Sequence, residues 1–153
     1  MIAQVKATII NPNNLKIEGL YCTDRYNGKS MILLYQDIRE YMPTKGYVVN
    51  DHDVLSDPSD LIRLKDVIDL NFQLIGKSVI TTSKHRIGKV SDYAVEMQTM
   101  YIQKIYASQS LLKNFTGGNL SIDRTQINEV TDKKIIINDL LEDSRVIAPA
   151  TAT

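Results

Sequence analysis

Residues 2–22, IAQVKATIINPNNLKIEGLYC, decide the fold, because residues 87–107, IGKVSDYAVEMQTMYIQKIYA, repeat them at a constant offset of 85 with no gap. Ile2/Ile87, Val5/Val90, Ile17/Ile102 and Tyr21/Tyr106 are identical, and Ile10/Val95, Leu15/Met100 and Leu20/Ile105 keep an apolar residue at the same step. Further along, Ile38, Arg39 and Glu40 align with Ile127, Asn128 and Glu129, and Val48, Val49, Asn50 and Asp51 with Ile136, Ile137, Asn138 and Asp139, after small length changes in the loops. Self-similarity of this kind marks one structural unit used twice. The pattern predicts two copies of one small β domain and says little about a reaction.

The 153 residues can bury one ordinary core or two small ones, and a unit of about 75–85 residues is near the lower limit for a core without staples. The chain carries 18 basic and 18 acidic residues, divided 8 against 10 in residues 1–75 and 10 against 8 in residues 76–153. A protein held to nucleic acid by phosphate neutralisation is normally more basic. Cys22 is the only cysteine, which excludes an intrachain disulfide and a cysteine-paired zinc site and fits a reducing cytoplasm. No apolar run approaches the roughly 20 residues that cross a bilayer, and no secretion signal opens the chain, so a soluble, cytoplasmic protein without membrane insertion is expected. The triplets beginning at Asn114 and Asn119 fit the glycosylation pattern, but without such a signal they read as polar loop residues.

Short runs rich in Val, Ile and Tyr are separated by Asn-Pro-Asn-Asn, Asn-Gly, Lys-Gly and Gly-Gly, the punctuation of an antiparallel β protein. The spacing predicts strands near 2–10, 15–22, 30–35, 37–42 and 46–50, then 77–82, 86–95, 100–107, 119–123, 126–131 and 133–138. Apolar parity changes between Ile17 and Leu20, and again between Ile102 and Ile105. Either a β-bulge bends both strands, eased at the first by Gly19, or one of these residues faces solvent.

Between the copies, residues 57–68 carry the one helical signal: Asp57 to cap, Pro58 at the first position, and Leu61, Leu64 and Ile68 on one face, expected to pack between the two domains. A partner-binding helix is the alternative, although such a stripe usually covers its own core. The predicted division is 1–56 for the first repeat, 57–73 for the linker, 74–144 for the second repeat, and a tail at 145–153 with a candidate strand at 145–148 before a disordered end.

Leu74-Ile75-Gly76-Lys77-Ser78-Val79-Ile80, followed by Ile87-Gly88-Lys89-Val90 after the polar turn at residues 83–86, resembles the PRC-barrel family. That family opens on a strand of pattern large-apolar, Gly, basic, x, Val, then a polar hairpin turn, then Ile/Leu-Gly-Lys-Val. The likeness extends over residues 2–51 in the first copy, so it covers nearly the whole chain. It implies an all-β protein of two tandem, small, antiparallel barrels joined by a short helix. Relatives of that type occur in the cytoplasmic part of the photosynthetic reaction-centre H subunit and in the C-terminal domain of ribosome-maturation factors, which are docking roles. The resemblance implies no catalytic residue and no cofactor. There is no membrane-spanning segment of the H-subunit type and no preceding domain of the maturation-factor type, so neither specific activity follows.

Subtracting 85 from Lys77–Ile80 lands before Met1, so the first barrel is expected to lack its N-terminal strand. An unclosed sheet edge normally finds a partner strand. Three expectations follow: closure by Arg145, Val146, Ile147 and Ala148, closure by a strand of another chain to give a homodimer, or additional residues upstream.

Few residues suggest chemistry. Asn50-Asp51-His52-Asp53 has metal-ligand types, but consecutive residues seldom converge on one ion and Leu140 stands where the second copy would need a His; a polar turn that ends a strand is expected instead. Gly117-Gly118 lacks the Lys-Ser/Thr of a phosphate loop. No nucleophile elbow surrounds any Ser, Cys22 reads as a small buried filler, and Tyr21 and Tyr106 as core or rim anchors. The remaining candidate is a basic hairpin of Lys84, His85 and Arg86, with Lys77 and Lys89 nearby, as a partner-binding surface. The expected function is that of a non-enzymatic adaptor for a protein partner, without metal or cofactor. The alternative is an RNA- or ribosome-associated factor.

Overall fold

The computed structural model describes residues 1–109 and 119–139. The strand expected at 145–148, the rest of the tail, Leu140 and the 117–118 glycine pair lie outside the described residues. The described chain is mostly β-strand with one short α-helix, and none of its helices is long and apolar enough to cross a membrane. It forms two compact units, Met1–Gln73 with Glu96–Ile102, and Leu74–Val95 with Gln103–Thr153. Residues 57–73, predicted as a linker, thus belong to the first unit.

In the first unit, β1 (Ala3–Asn11), β2 (Lys16–Asp24) and β3 (Ser30–Leu34) form an antiparallel meander, to which the two-residue β6 (Leu55–Ser56) adds. A separate hairpin, β4 (Glu40–Met42) and β5 (Gly46–Val48), stands apart from that sheet. The second unit holds β7 (Ser78–Thr81), β8 (Arg86–Val95), β9 (Ile102–Gln109), β10 (Asn119–Asp123), β11 (Ile127–Val130) and β12 (Lys134–Ile137) in one six-stranded sheet of order β10-β9-β8-β7-β12-β11. Both strand orders are linear, and among the described residues no pairing closes either sheet on itself.

The repeat is visible in the order of elements. Three strands lead into a 3-10 turn, Tyr35–Asp37 in one copy and Arg124–Gln126 in the other, and then into a hairpin. Equivalent side chains tie the hairpin ends: Arg39 Nη1 donates to Asn50 Oδ1 at 3.2 Å, and Asn128 Nδ2 to Asn138 Oδ1 at 3.2 Å. Burial repeats as well. Ile17, Leu20, Cys22 and Leu33 are buried, and so are Ile102, Ile105, Ala107 and Ile122 at the matching steps. Each large aliphatic side chain of this set contributes roughly 1.5–3 kcal/mol by leaving water.

The bulge expected near Gly19 is present. Ile9 pairs with Gly19 and Ile10 with Ile17, leaving Glu18 as the extra residue. Gly19 is required for room, since a Cβ there would sit 2.9 Å from the Leu33 carbonyl oxygen. Gly88 has a stronger need of the same kind: a Cβ would overlap the Ser108 carbonyl on the neighbouring strand.

The helix expected over residues 57–68 is corrected. Asp57 Oδ1 accepts hydrogen bonds from Ser59 N and Ser59 Oγ at 2.9 and 2.7 Å, which closes a 3-10 turn at Pro58–Asp60. Leu61 then leaves helical geometry at φ −98° and ψ 73°, and the α-helix, α1, spans only Lys65–Leu70 before Asn71 ends it in the left-handed conformation. A side chain that satisfies the backbone locally competes with helix propagation. The apolar stripe survives the break: Leu61, Leu64, Val67 and Ile68 pack with Ile9 and Ile32 of β1 and β3.

Candidate functional site

Thr81 organises the turn between β7 and β8. Its N–H donates to the His85 carbonyl at 2.9 Å, its carbonyl accepts from Lys84 N at 2.8 Å, and its hydroxyl accepts from His85 N at 3.0 Å. Lys84 itself takes φ 69°, the left-handed conformation that a tight reversal needs. The turn is also anchored to the end of β12. Ser83 Oγ donates to Asp139 Oδ1 at 2.6 Å, and Thr82 N donates to the Ile137 carbonyl at 2.9 Å. The Ser83 hydroxyl holds the Asp139 carboxyl below the usual carboxylate range, opposed by partial desolvation and helped by Thr81, the Ser83 amide and the nearby His85.

The five predicted basic-patch residues divide into two groups. Lys84, His85 and Arg86 are consecutive and exposed at the anchored turn. Lys89 is exposed but pairs across the ladder with Ser78, whereas Arg86 pairs with Ile80, which puts the two basic residues about 10 Å apart along β8. Lys77 lies at that same far end, where its Nζ donates to the Asp132 carbonyl at 2.6 Å. The cationic tip therefore consists of residues 84–86.

The Asn50-Asp51-His52-Asp53 run forms a strand-ending turn. Asp51 Oδ1 accepts from Asp53 N at 2.9 Å and caps the 3-10 turn His52–Val54. His52 turns away from its neighbours to meet Asp24, with His52 Nε2 2.8 Å from Asp24 Oδ2. The Asp24 side chain is fully buried, and Tyr26 N donates to its other oxygen at 2.8 Å. That amide bond is the main cause that holds Asp24 below the ordinary carboxylate range; His52 adds to it while desolvation opposes. Tyr26 also meets the His52 ring edge-on, with centroids 5.3 Å apart. Among the described residues no group of three or more His, Cys, Asp or Glu side chains is placed to hold a metal ion.

Two further features were missed in the sequence. Lys16 Nζ donates to the Tyr35 hydroxyl at 2.8 Å and lies 3.9 Å from that ring's centroid, a contact made across residues 19 apart. Beside it, a cavity of about 550 Å³ in the first unit is lined by Leu34, Tyr35, Asp60, Leu61, Arg63 and Val67, among others. Only the Asp24 pair had a local signal, an Asp directly before the Arg25-Tyr26-Asn27-Gly28 turn; the cavity depends on the broken helix. Cys22 is buried, and burial pushes its thiol up, so it behaves as a filler. In comparisons with known proteins, no family model and no curated protein matches the chain.

Proposed function

We propose that this chain is a non-enzymatic, cytoplasmic docking protein built from two PRC-type barrel repeats, and that it binds a protein partner through the basic turn of residues 84–86. The observation that carries this reading is the anchoring of that turn. Ser83–Asp139, Thr81–His85 and Thr82–Ile137 contacts present Lys84, His85 and Arg86 from a fixed support. A preorganised charged tip loses little freedom on association and steers an acidic partner toward it. The duplicated architecture, in which buried aliphatic residues recur without a recurring polar cluster, suits a scaffold whose recognition is left to its outer faces.

The test is affinity capture from a cell extract with wild-type chain and with Lys84→Glu/Arg86→Glu, each with and without ribonuclease. A defined protein retained after ribonuclease and lost with the double substitution is the expected result. Loss of every specific companion after ribonuclease, with binding that weakens steeply as salt rises, would instead establish the RNA-associated alternative suggested by the same three side chains.

A further inference from the structure

The reversal between β2 and β3 is built on Asn27-Gly28, the one Asn-Gly pair in the chain. Gly28 takes φ 71°, a left-handed conformation that glycine adopts freely. Its N–H donates to the Asp24 carbonyl and Asp24 N to the Lys29 carbonyl, both at 2.9 Å. The Asn27 side chain folds back over its own peptide, where Oδ1 accepts from Lys29 N at 2.8 Å. The ring closed by that bond contains both Asn27 Cγ and the Gly28 nitrogen, which brings the carbon beside the nitrogen of the next residue. Residues 25–30 are exposed, and a Cβ added to Gly28 would meet nothing within 4 Å among the described residues. Water and base therefore reach this pair. Lys29 N–H already donates to the oxygen that turns negative when the nitrogen adds to Cγ. The bond from Gly28 N to the Asp24 carbonyl opposes that addition, but an exposed turn opens at small cost.

We propose that Asn27 is a site of self-modification in the folded chain, deamidating through a cyclic imide to aspartate and isoaspartate. The Gly28 nitrogen gives its proton to solvent base and bonds to Asn27 Cγ, the bond from Cγ to the side-chain nitrogen breaks, and ammonia leaves. Water then opens the imide. Attack at Cγ gives aspartate, and attack at the main-chain carbonyl carbon gives isoaspartate, whose backbone runs through Cβ and Cγ. One water is consumed and one ammonia released, with no other reactant. The product acts on the neighbouring Asp24 pair. Isoaspartate puts one more atom into the backbone of a turn whose Tyr26 amide donates to buried Asp24 at 2.8 Å. After Tyr26 and His52, the Asn27 amide also favours the ionised Asp24 carboxylate, and a new carboxylate at residue 27 opposes it. Conversion therefore loosens the 2.8 Å contact from Asp24 to His52, which ties this turn to the one at His52–Val54.

The full chain is aged in mildly alkaline buffer, and digests are followed by mass spectrometry, with isoaspartate scored by enzymatic methyl transfer. Asn27 is expected to convert several-fold faster than Asn13 and Asn50, which are also exposed but are followed by Asn14 and Asp51. Gly28→Ala should slow conversion several-fold, because a Cβ beside the attacking nitrogen hinders closure of the imide. A wild-type sample aged in urea needs no folded variant. If Asn27 converts there but stays no faster than Asn13 and Asn50 in the folded chain, the turn protects the site and the proposal is overturned. Equal rates with Gly28 and with Ala at that position would overturn it as well. The imidazole signals of His52, read by magnetic resonance in the same samples, should shift in step with isoaspartate. Signals that stay fixed while isoaspartate accumulates would contradict release of the Asp24 contact.

Discussion

The backbone carbonyls of Leu15 and Met100, residues at the same step of the repeat, each accept a hydrogen bond from the segment of the other: Ile102 N donates to Leu15 and Ile17 N to Met100, both at 2.9 Å. Both residues sit at positive φ, 55° and 64°, and each closes its own turn, Leu15 N onto Asn11 at 2.8 Å and Met100 N onto Glu96 at 2.7 Å. Left-handed geometry in a non-glycine residue costs about 1–2 kcal/mol. Both side chains are buried, at 5% and 4% exposure, which offsets that strain.

Leu15→Ala and Met100→Ala should each destabilise the chain by about 2–5 kcal/mol, since each empties a buried site. Because the two turns share a pair of hydrogen bonds, the double variant should depart from the sum of the singles by more than about 0.5 kcal/mol. Urea unfolding of the four chains measures this, and strict additivity would show the turns to be energetically independent.

Gly88→Ala should be more damaging than Gly19→Ala. The added methyl overlaps the Ser108 carbonyl at the first position, whereas at the second it meets the Leu33 carbonyl at 2.9 Å. Backbone must move in both cases, but farther at residue 88. Thermal melting of the two variants gives the ranking, and equal melting temperatures would mean that the β8–β9 approach relaxes freely.

The Asp24 pair predicts a pH dependence. The folded-state pKa of Asp24 lies below its ordinary value, chiefly through the Tyr26 amide and then His52. Its contribution to stability is therefore full above the ordinary carboxylate range and is lost as pH falls through the depressed value. Asp139, held down by Ser83, acts in the same sense. Asp24→Asn removes the charge while keeping an acceptor for Tyr26 N. Denaturant midpoints measured from pH 6 downward should fall less steeply in this variant than in wild type; parallel curves would contradict the assignment.

Ser83→Ala tests the anchor of the basic turn without altering its charge. One exposed neutral-to-charged hydrogen bond is lost, so global stability should fall only slightly. The amides of Lys84 and His85 should exchange with solvent faster than in wild type. Unchanged exchange there would show that the Thr81 and Thr82 contacts hold the turn without Ser83.

The strands were legible because turn residues punctuate short β-branched runs: the predicted 86–95 and 119–123 coincide with β8 and β10. The helix was not, because Asp57, Pro58 and Ser59 serve as well to close a 3-10 turn as to start an α-helix, and the choice depends on where Leu61 can pack. The basic patch was half legible. Adjacent residues 84–86 stay together on the turn, while Lys77 and Lys89 are carried away by strand geometry that spacing alone does not reveal. Asp24 and His52, 28 residues apart, meet only through the fold.

The most direct test of the duplicated architecture is residue-resolved amide hydrogen exchange comparing β1 with β8 in the chain alone. Slow exchange at Val90 and fast exchange at Val5 are predicted, with similar protection at Leu20 and Ile105. Equal protection at Val5 and Val90 would contradict the account.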